Sequence, residues 1–186
     1  MSSTRVPKGA KRVFHGIRFD VYHFKTRLFN GSYKTFEMGV RPDGVLIIPA
    51  VGNKVMTIDE WYAVSMEWMR TFPAGAIDKG ETPLAAAKRE LQEETGLVSS
   101  DLELLFHVGT SKSIQGEDYV FIARNCRMKG KINIDPAEEI VPRLVDFDEF
   151  VEIARDSLNG NAGKLFYEMT STPALRKKLK RRLFGR

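Results

Sequence analysis

The chain has 186 residues, of which 42% are hydrophobic, and its formal net charge at pH 7 is +5. A chain of this length is within the size range of one compact domain that buries its own core. The single cysteine, Cys126, excludes an intrachain disulfide, and no apolar run is long enough for a membrane span. Because residues 1–12 are polar and basic without an apolar signal region, we expect a cytoplasmic protein with a flexible N-terminus.

The first part of the chain is dominated by signals for β-strands. Residues 13–29 mix β-branched and aromatic residues with charges, and Asn30-Gly31 follows as a hairpin turn signal, which predicts paired strands. A further strand is predicted at 32–40. A turn at 42–44 then leads into a fully buried strand at 45–48.

The segment 58–72 carries a mixed signal. Trp61, Val64 and Trp68 are spaced like one face of a helix, but the segment also contains residues that favour strands. Both a helix and a strand are compatible with it. We interpret the two tryptophans as packing residues.

The clearest helix begins after Thr82, a good N-cap residue, with Pro83 at its first position and Gly96 at its end. Later strands are predicted at 102–108, 118–125 and 141–145, and later helices at 147–158 and 173–183. Strands on both sides of one central helix indicate a single α+β domain at 13–186. We expect an α/β/α sandwich with a mixed central sheet rather than regular βαβ repeats.

The end of the central helix is acidic on one face. Glu90, Glu93 and Glu94 are at positions i, i+3 and i+4, so their carboxylates crowd one patch. Like charges at this spacing weaken a helix unless a cation lies among them, and oxygen ligands suit Mg²⁺ or Mn²⁺. The pattern therefore indicates a metal site, and a ligand-free, solvent-facing acidic helix is the disfavoured alternative.

Residues 75–97 read GAIDKGETPLAAAKRELQEETGL, which matches the Nudix signature G-x5-E-x7-R-E-U-x-E-E-x-G-U at every fixed position, where U is apolar. At average composition, a chance match at one start has a probability on the order of 10^-8. The chain thus resembles the Nudix hydrolases. The resemblance implies the Nudix fold and metal-dependent hydrolysis of a diphosphate linkage in a nucleotide-like substrate.

The same resemblance assigns roles to individual residues. It implies that the metal ligands are the Ala74 carbonyl and the carboxylates of Glu90, Glu93 and Glu94. Arg89 and Glu81 would orient this site without supplying a proton. The general base is either Glu93 or a residue of a later acidic loop, where the candidates are Asp135, Glu138 and Glu139.

Residues 36–45 and 72–75 resemble the ADP-ribose pyrophosphatase subgroup, whose N-terminal strands precede the Nudix fold. By this resemblance Phe36 stands where an aromatic ring packs against adenine, Glu37 where an acid contacts the base, and Arg41 where a cation meets phosphate. The subgroup also implies a homodimer built through the N-terminal strands, here residues 13–41.

Two positions depart from the subgroup pattern. Tyr62 stands about where the subgroup has a phosphate-binding arginine, and Thr71 replaces its usual glutamate. Arg70 is the candidate that could supply the lost positive charge, and we therefore count it among the substrate-binding residues.

The favoured function is hydrolysis of ADP-ribose or a related nucleoside diphosphate sugar to a nucleoside monophosphate and a sugar phosphate. A second reading is cleavage of dinucleoside polyphosphates or a capped RNA end, since the basic helix and tail at 173–186 would attract polyanions. A third is a nucleotide-sensing or nucleic-acid-binding module without turnover, which the intact set of three glutamates disfavours. For the tail itself, a solvated helix end is favoured over nucleic-acid binding.

Overall fold

The computed structural model describes residues 6–109, 113–130, 132 and 139–185. Its strands are β1 (Lys11–His15), β2 (Asp20–Arg27), β3 (Tyr33–Val40), β4 (Gly44–Val51), β5 (Lys54–Tyr62), β6 (Glu67–Thr71), β7 (Ala74–Ala76), β8 (Leu97–Val98), β9 (Asp101–Gly109), β10 (Ile114–Gln115), β11 (Glu117–Arg124), β12 (Arg127–Met128) and β13 (Ile140–Val145). Its helices are α1 (Pro83–Thr95), α2 (Phe147–Ser157), α3 (Gly160–Thr170) and α4 (Pro173–Phe184). None of these helices is long and apolar enough to cross a membrane.

The first three strands form an antiparallel sheet of their own, to which the short β10 adds in parallel beside β3. Asn30-Gly31 lies in the turn between β2 and β3. Gly31 has a φ of 86°, a conformation that glycine adopts without steric cost. The predictions of paired strands in 13–29 and of a strand at 32–40 are confirmed.

The central sheet has the strand order β13-β5-β4-β11-β9, with β6 beside β5 and β7 beside β4. β11 runs parallel to β4 and antiparallel to β9, so the sheet is mixed, as predicted. The strands predicted at 45–48, 102–108, 118–125 and 141–145 correspond to β4, β9, β11 and β13.

The helical alternative for the segment 58–72 is wrong, because β5 and β6 form an antiparallel hairpin there. Trp61 lies directly opposite Trp68, with the ring centroids 5.9 Å apart. Residues seven positions apart lie on one face of a helix and can equally lie opposite each other across a hairpin. The spacing alone therefore did not distinguish the two structures. The two rings contact each other, and Trp68 remains 49% exposed.

Successive side chains of β4 enter two different hydrophobic cores, because side chains alternate between the faces of a strand. Ile47 packs with Leu91 of α1 on one face, and Ile48 packs with Phe150 of α2 on the other. All four side chains are fully buried. Helices α3 and α4 share the second core, so the sheet lies between two helical layers and the predicted α/β/α sandwich is confirmed.

The local signals for α1 fix both of its ends. The Thr82 hydroxyl accepts a hydrogen bond from the Ala85 amide at 3.2 Å, and Gly96 ends the helix in the left-handed region with a φ of 69°. In contrast, α3 has no counterpart among the sequence predictions. It begins with the sequence Gly160-Asn-Ala-Gly163, and glycine and asparagine are poor helix formers, so tertiary packing rather than propensity produces this helix.

A cleft opens where the sheet divides. β4 pairs with β5 only next to their connecting turn, at Ala50 with Val55 and Val51 with Lys54. At its other end β4 pairs with β7 instead, for example Val45 with Gly75. Because β5 leaves β4 in this way, the end of β5 and the β4–β7 pair form two separate walls with space between them.

An ion-pair network on the outer strands supplies a test of this packing. Asp59 of β5 accepts hydrogen bonds from Arg70 of β6, at 2.6 Å, and from Arg143 of β13. The hydrogen bond from Arg70, followed by that from Arg143, lowers the pKa of the Asp59 carboxyl from its ordinary value of 3.8, against the opposing effect of burial. One carboxylate thus links three neighbouring strands.

We expect Asp59→Asn to lower the free energy of unfolding at pH 7 by about 1–2 kcal/mol, because it removes charge-assisted hydrogen bonds that are partly screened by solvent. Since the pKa is lower in the folded state, this stabilisation is complete above pH 3.8 and is lost as the pH falls below it through the folded value. Urea unfolding over a pH series measures the difference. The exposed Asp156→Asn is the control, and equal losses from both variants would contradict the prediction.

Candidate active site

Two of the three glutamates on the acidic face of α1 are buried. Glu90 and Glu94 retain 8% and 5% exposure, whereas the side chain of Glu93 is 38% exposed. Burying an ionised carboxylate is costly unless hydrogen bonds or opposite charges compensate it. The fold must therefore supply partners for Glu90 and Glu94.

Arg89 is the common partner of the acidic groups around α1. Its Nη1 donates to Glu90 Oε1 at 2.6 Å and to Glu93 Oε2 at 3.2 Å. Its Nε and Nη2 bind both carboxylate oxygens of Glu81, at 3.2 and 3.0 Å, and Nη2 also donates to the Ala76 carbonyl at 2.9 Å. These contacts tie the acidic face of α1 to the loop that precedes the helix, which gives the orienting role expected for Arg89 and Glu81 a geometric basis.

The charges in this cluster reinforce one another. The hydrogen bond from Arg89 lowers the pKa of the Glu81 carboxyl, with a smaller contribution from the Asp78 amide. In return, the hydrogen bonds to Glu81 and then Glu90 raise the pKa of Arg89 above its ordinary value. The carboxylate and the guanidinium are therefore both charged at neutral pH.

The backbone of β7 lies directly against the acidic face. The Ala74 amide donates to Glu94 Oε2 at 3.0 Å, which holds that carboxylate at the start of β7. Gly75 approaches Glu90 so closely that a Cβ on Gly75 would be 1.8 Å from Glu90 Oε1. Only glycine leaves room for the Glu90 carboxylate at this point.

A cleft of about 920 Å³ opens beside the acidic face, and Glu94 is the α1 residue that lines it. Its other walls come from the start of β4, from β7, from the end of β5 and from the turn between β1 and β2. Arg41 lies in the cleft and donates to Asp118 Oδ1 at 2.5 Å and to the Pro42 carbonyl at 2.8 Å. Arg18, from the β1–β2 turn, is the second cation that lines the cleft.

Tyr62 lies on the wall formed by β5. Burial, and to a smaller extent the neighbouring Glu60, raises the pKa of the Tyr62 phenol, while Arg18 acts in the opposite direction. The phenol therefore stays protonated at neutral pH and is a hydrogen-bond donor within the cleft.

The donor chemistry at this end of α1 fits a divalent cation. Carboxylate oxygens are the ligands that Mg²⁺ and Mn²⁺ prefer, and three carboxylates meet here at one helix turn. Within the described ranges, no three acidic, histidine or cysteine side chains already surround one ion position, because Glu90 and Glu93 face Arg89 and Glu94 binds the Ala74 amide. The site fits such an ion by donor type and charge.

The structure brings most of the predicted metal and phosphate residues together. Ala74, Glu90, Glu93 and Glu94 lie at one corner, joined by the hydrogen bonds to Arg89 and to β7. Arg41 lines the same cleft.

Phe36 and Glu37, predicted to contact the base, lie on β3 outside the residues that line this cleft. The Phe36 ring stacks on Phe24 of the neighbouring strand, with the centroids 6.0 Å apart, and the Lys34 ammonium lies 5.8 Å from its centroid. Glu37 is 3.1 Å from His23 Nε2. Within one chain, these two side chains therefore contact the N-terminal sheet rather than the cleft.

Arg70 also lies outside the cleft lining. Its guanidinium binds Asp59 at 2.6 Å and Glu149 of α2 at 3.3 Å. These contacts attach β6 to β5 and α2, so within this chain Arg70 does not supply the positive charge missing at Tyr62. Arg18 does lie beside Tyr62.

Of the later acidic candidates for the general base, Asp135 and Glu138 lie outside the described residues. Glu139 is exposed, and its carbonyl accepts a hydrogen bond from the Trp61 amide at 3.0 Å. Since Ile140 pairs with Glu60, the backbone of Glu139 lies at the cleft end of β5.

Sequence reasoning missed several residues of the cleft. Arg18, Glu60 and Asp118 line it, although they come from three distant parts of the chain. Their residue types carry no motif, and Arg18 lies in a turn where a cation is ordinary. Only the folded structure shows that these positions face one space.

Comparison with known families gives a clear match. The model of the NUDIX domain matches residues 40–168. That span contains the signature segment, α1 and both sides of the divided sheet.

Individual proteins are also similar to this chain. An ADP-ribose pyrophosphatase of Bacillus subtilis (strain 168) is 29% identical over 150 residues, which cover 80% of this chain and 76% of that protein. The ADP compounds hydrolase NudE of Escherichia coli (strain K12) is 28% identical over 134 residues, or 70% of this chain and 64% of that protein. The crystal structure of an ADP compounds hydrolase superimposes with a TM-score of 0.71 at 21% identity, covering 96% and 93% of the two chains, and shows the shared fold.

The close contact between Gly75 and Glu90 predicts that Gly75→Ala displaces either the Glu90 carboxylate or β7. We expect the affinity for Mn²⁺, measured by titration calorimetry, to fall about 10- to 100-fold because the donors no longer hold their orientation. Gly130→Ala is the matched control, since a Cβ there would meet its nearest atom, Gln92 Nε2, at 3.8 Å. Unchanged Mn²⁺ binding by Gly75→Ala would contradict the assignment of this corner as a metal site.

Proposed function

Because the chain belongs to the Nudix family, we propose that it hydrolyses the diphosphate linkage of ADP-ribose or a related nucleoside diphosphate sugar. The products would be a nucleoside monophosphate and a sugar phosphate. The observation that carries this proposal is the pair of buried carboxylates, Glu90 and Glu94, at the edge of a cleft of about 920 Å³. Two relatives named for ADP-ribose and ADP compounds, each similar over most of this chain, support the choice of substrate.

Nudix hydrolases generally require a divalent metal ion, and we propose Mg²⁺ or Mn²⁺ for this chain. The residues that would hold it are Ala74, through its carbonyl, and Glu90, Glu93 and Glu94. When bound, such an ion reduces the negative charge of the diphosphate and lowers the pKa of nearby water. The chain itself keeps the carboxylates in place through Arg89 and the Ala74 amide.

The charge of the cleft supports metal dependence. Its lining contains two guanidinium groups, from Arg18 and Arg41, and four carboxylates, from Asp43, Glu60, Glu94 and Asp118. An anionic diphosphate entering this space would meet more negative than positive charge. Bound divalent cations would reverse that balance, so the substrate is expected to bind together with metal.

In the reaction, the oxygen of a water molecule forms a bond to one phosphorus, the bridging phosphorus–oxygen bond breaks, and a carboxylate takes the proton of the water. We propose Glu93, Glu138 and Glu139 as the candidates for that carboxylate. Glu93 already lies beside Arg89. Glu139 is the last of the acidic candidates at 135–139, and its backbone lies at the cleft end of β5.

For substrate binding we propose Arg41 as the residue that contacts phosphate, with Arg18 as a second cation in the same cleft. We retain Phe36 and Glu37 as candidates for contacts with the base, acting in the cleft of a partner subunit because they do not line their own. Arg70, which binds Asp59 and Glu149, would contact substrate only if those ion pairs rearrange.

The substrate proposal is tested by a panel of ADP-ribose, other nucleoside diphosphate sugars, dinucleoside polyphosphates and capped RNA, with Mg²⁺ or Mn²⁺ and product identification by mass spectrometry. We expect the highest kcat/KM for ADP-ribose or another nucleoside diphosphate sugar. Glu94→Gln should lower kcat/KM at least about 100-fold, since it removes a charged ligand at the reacting groups. Glu168→Gln, on the exposed side of α3, should leave it unchanged.

The same assay separates the candidates for the general base. Glu93, Glu138 and Glu139 are each replaced by glutamine. Only the variant that lacks the general base should lose the acidic limb of the pH–rate profile. A preference for capped RNA or dinucleoside polyphosphates would show that one of these, rather than a nucleoside diphosphate sugar, is the substrate. Absence of metal-dependent turnover on every panel member would overturn the hydrolase proposal and favour the nucleotide-sensing module.

We also propose that the chain forms a homodimer through its N-terminal strands. Several large apolar side chains on β1 and β3 are exposed, including Val13 at 51% and Phe14 at 56%, and such surfaces are typical of interfaces. Light scattering should then give twice the chain mass of 21.1 kDa. Phe14→Glu should give the monomer mass, whereas Tyr167→Glu on α3 should not, and a monomeric native chain would refute the dimer.

A further inference from the structure

The cations of α4 fall into two groups in the folded chain. Arg176 and Arg182 are neutralised by acidic residues of other elements, with Arg176 at 3.4 Å from Asp148 and Arg182 at 2.6 Å from Glu103. These two pairs attach α4 to α2 and β9. They account for only part of the positive charge on the helix.

The other group consists of Lys177, Lys178, Lys180 and Arg181, which are all exposed. Among the residues that the structure describes, none of the four forms an ion pair with a carboxylate. The ion pairs that attach α4 to the rest of the chain use Arg176 and Arg182 and none of these four side chains. They are available to an external anion.

Three of these cations line a groove. Lys177, Lys180, Arg181 and Phe184 are at positions i, i+3, i+4 and i+7, so they share one helical face. This face and the β4–β5 turn at Gly52-Asn53 enclose a groove of about 270 Å³, here called the basic groove. It is concave and combines positive charge with an aromatic wall, which distinguishes it from an ordinary solvated charge run.

The surroundings of the basic groove add little negative charge. Asp146 interacts electrostatically with Lys180, and its pKa is lowered mainly by the backbone amides of Glu149 and Asp148 that it caps. Its carboxylate is therefore engaged at the start of α2. The Lys180 ammonium lies 5.2 Å from the centroid of the Phe147 ring. This cation–π contact does not neutralise the positive charge of the ammonium.

The chemistry of this groove matches a nucleotide chain. Lys177 lies about one helical turn, or about 5.4 Å along the helix, from the adjacent pair Lys180 and Arg181, so two neighbouring phosphates can each meet positive charge. The Phe184 ring is half-buried and packs edge-on against Phe147, with the centroids 6.3 Å apart, and the part of the ring that lines the groove offers a surface for a base. Stacking on a side chain requires a base that is not already within a duplex. Single strands therefore fit better than duplexes.

The basic groove is separate from the candidate active site. Gly52-Asn53 follows the end of β4, whereas the cleft lies at its start, at Gly44 and Val45. Eight residues of strand between the two positions correspond to about 26 Å. No residue lines both spaces.

We propose that the basic groove is a binding site for single-stranded nucleic acid, in which Lys177, Lys180 and Arg181 contact phosphates and Phe184 stacks on a base. The site differs from the one used for the proposed hydrolysis and does not depend on it. It would bring the chain to RNA or single-stranded DNA whatever small substrate the cleft cleaves.

The test measures binding of a short, fluorescently labelled, single-stranded oligonucleotide to the full chain by anisotropy, with a chelator present to prevent turnover. We expect the triple variant Lys177→Gln/Lys180→Gln/Arg181→Gln to bind at least about tenfold more weakly. Because three phosphate contacts are lost, the slope of log K against log salt should become shallower by about 2. Phe184→Leu should weaken binding about fivefold or more while leaving the salt slope unchanged.

A second triple variant, Lys8→Gln/Lys129→Gln/Lys164→Gln, loses the same charge at exposed positions outside the groove, the cleft and the N-terminal strands and is the matched control. It should retain most of the affinity and the salt slope. Thermal unfolding of all variants separates lost binding from lost folding. The groove variant should also hydrolyse small substrates with kcat/KM within about twofold of the native chain, because nothing in the cleft has changed.

Three outcomes would overturn the proposal. If both triple variants weakened oligonucleotide binding equally, the oligonucleotide would be attracted only by the net charge of the chain and not by the groove. Competition by AMP as strong as by the oligonucleotide, at equal nucleotide concentration, would make the groove a site for a single nucleotide. Binding of the chain to anionic vesicles without binding of the oligonucleotide would assign the face to a membrane surface. Since none of these readouts uses turnover, failure here leaves the proposed hydrolysis untouched.

Discussion

The guanidinium of Arg89 is the contact on which the candidate active site depends. Three carboxylates on one turn of α1 repel one another, and two of them are buried, so a compensating charge stabilises the contact of this helix end with β7. Arg89 supplies that charge to Glu90 and Glu93 and reaches Glu81 and the Ala76 carbonyl with its other nitrogens. One planar cation thereby fixes the position of the helix relative to the loop.

The divided sheet supplies the second constraint. β4 holds β7 at one end and β5 at the other, and the space between the diverging strands becomes the cleft. The acidic end of α1 opens into that space because α1 packs on the same strand, through Leu91 and Ile47. The cleft and the cation-binding corner are thus two consequences of how β4 is paired.

The central helix and its chemistry could be predicted because their signals are local. Thr82, Pro83 and Gly96 define the ends of α1 through contacts within a few residues, and the 3.6-residue period places the three glutamates on one face in any context. The segment 58–72 shows the opposite case. Its tryptophan spacing suited a helix and a hairpin equally, and only the pairing of β5 with β6 and β13 decided between them.

By itself, the sequence determined the family, the mixed α/β/α architecture and the acidic face of α1. Those features depend on residue type and short spacing, which the chain carries wherever it folds. Only the tertiary structure decided which cations reach the cleft, since Arg18 and Arg41 line it while Arg70 binds Asp59. It also decided that part of the basic tail borders a groove and part pairs with acids. These outcomes depend on contacts between residues far apart in the chain, which no local pattern encodes.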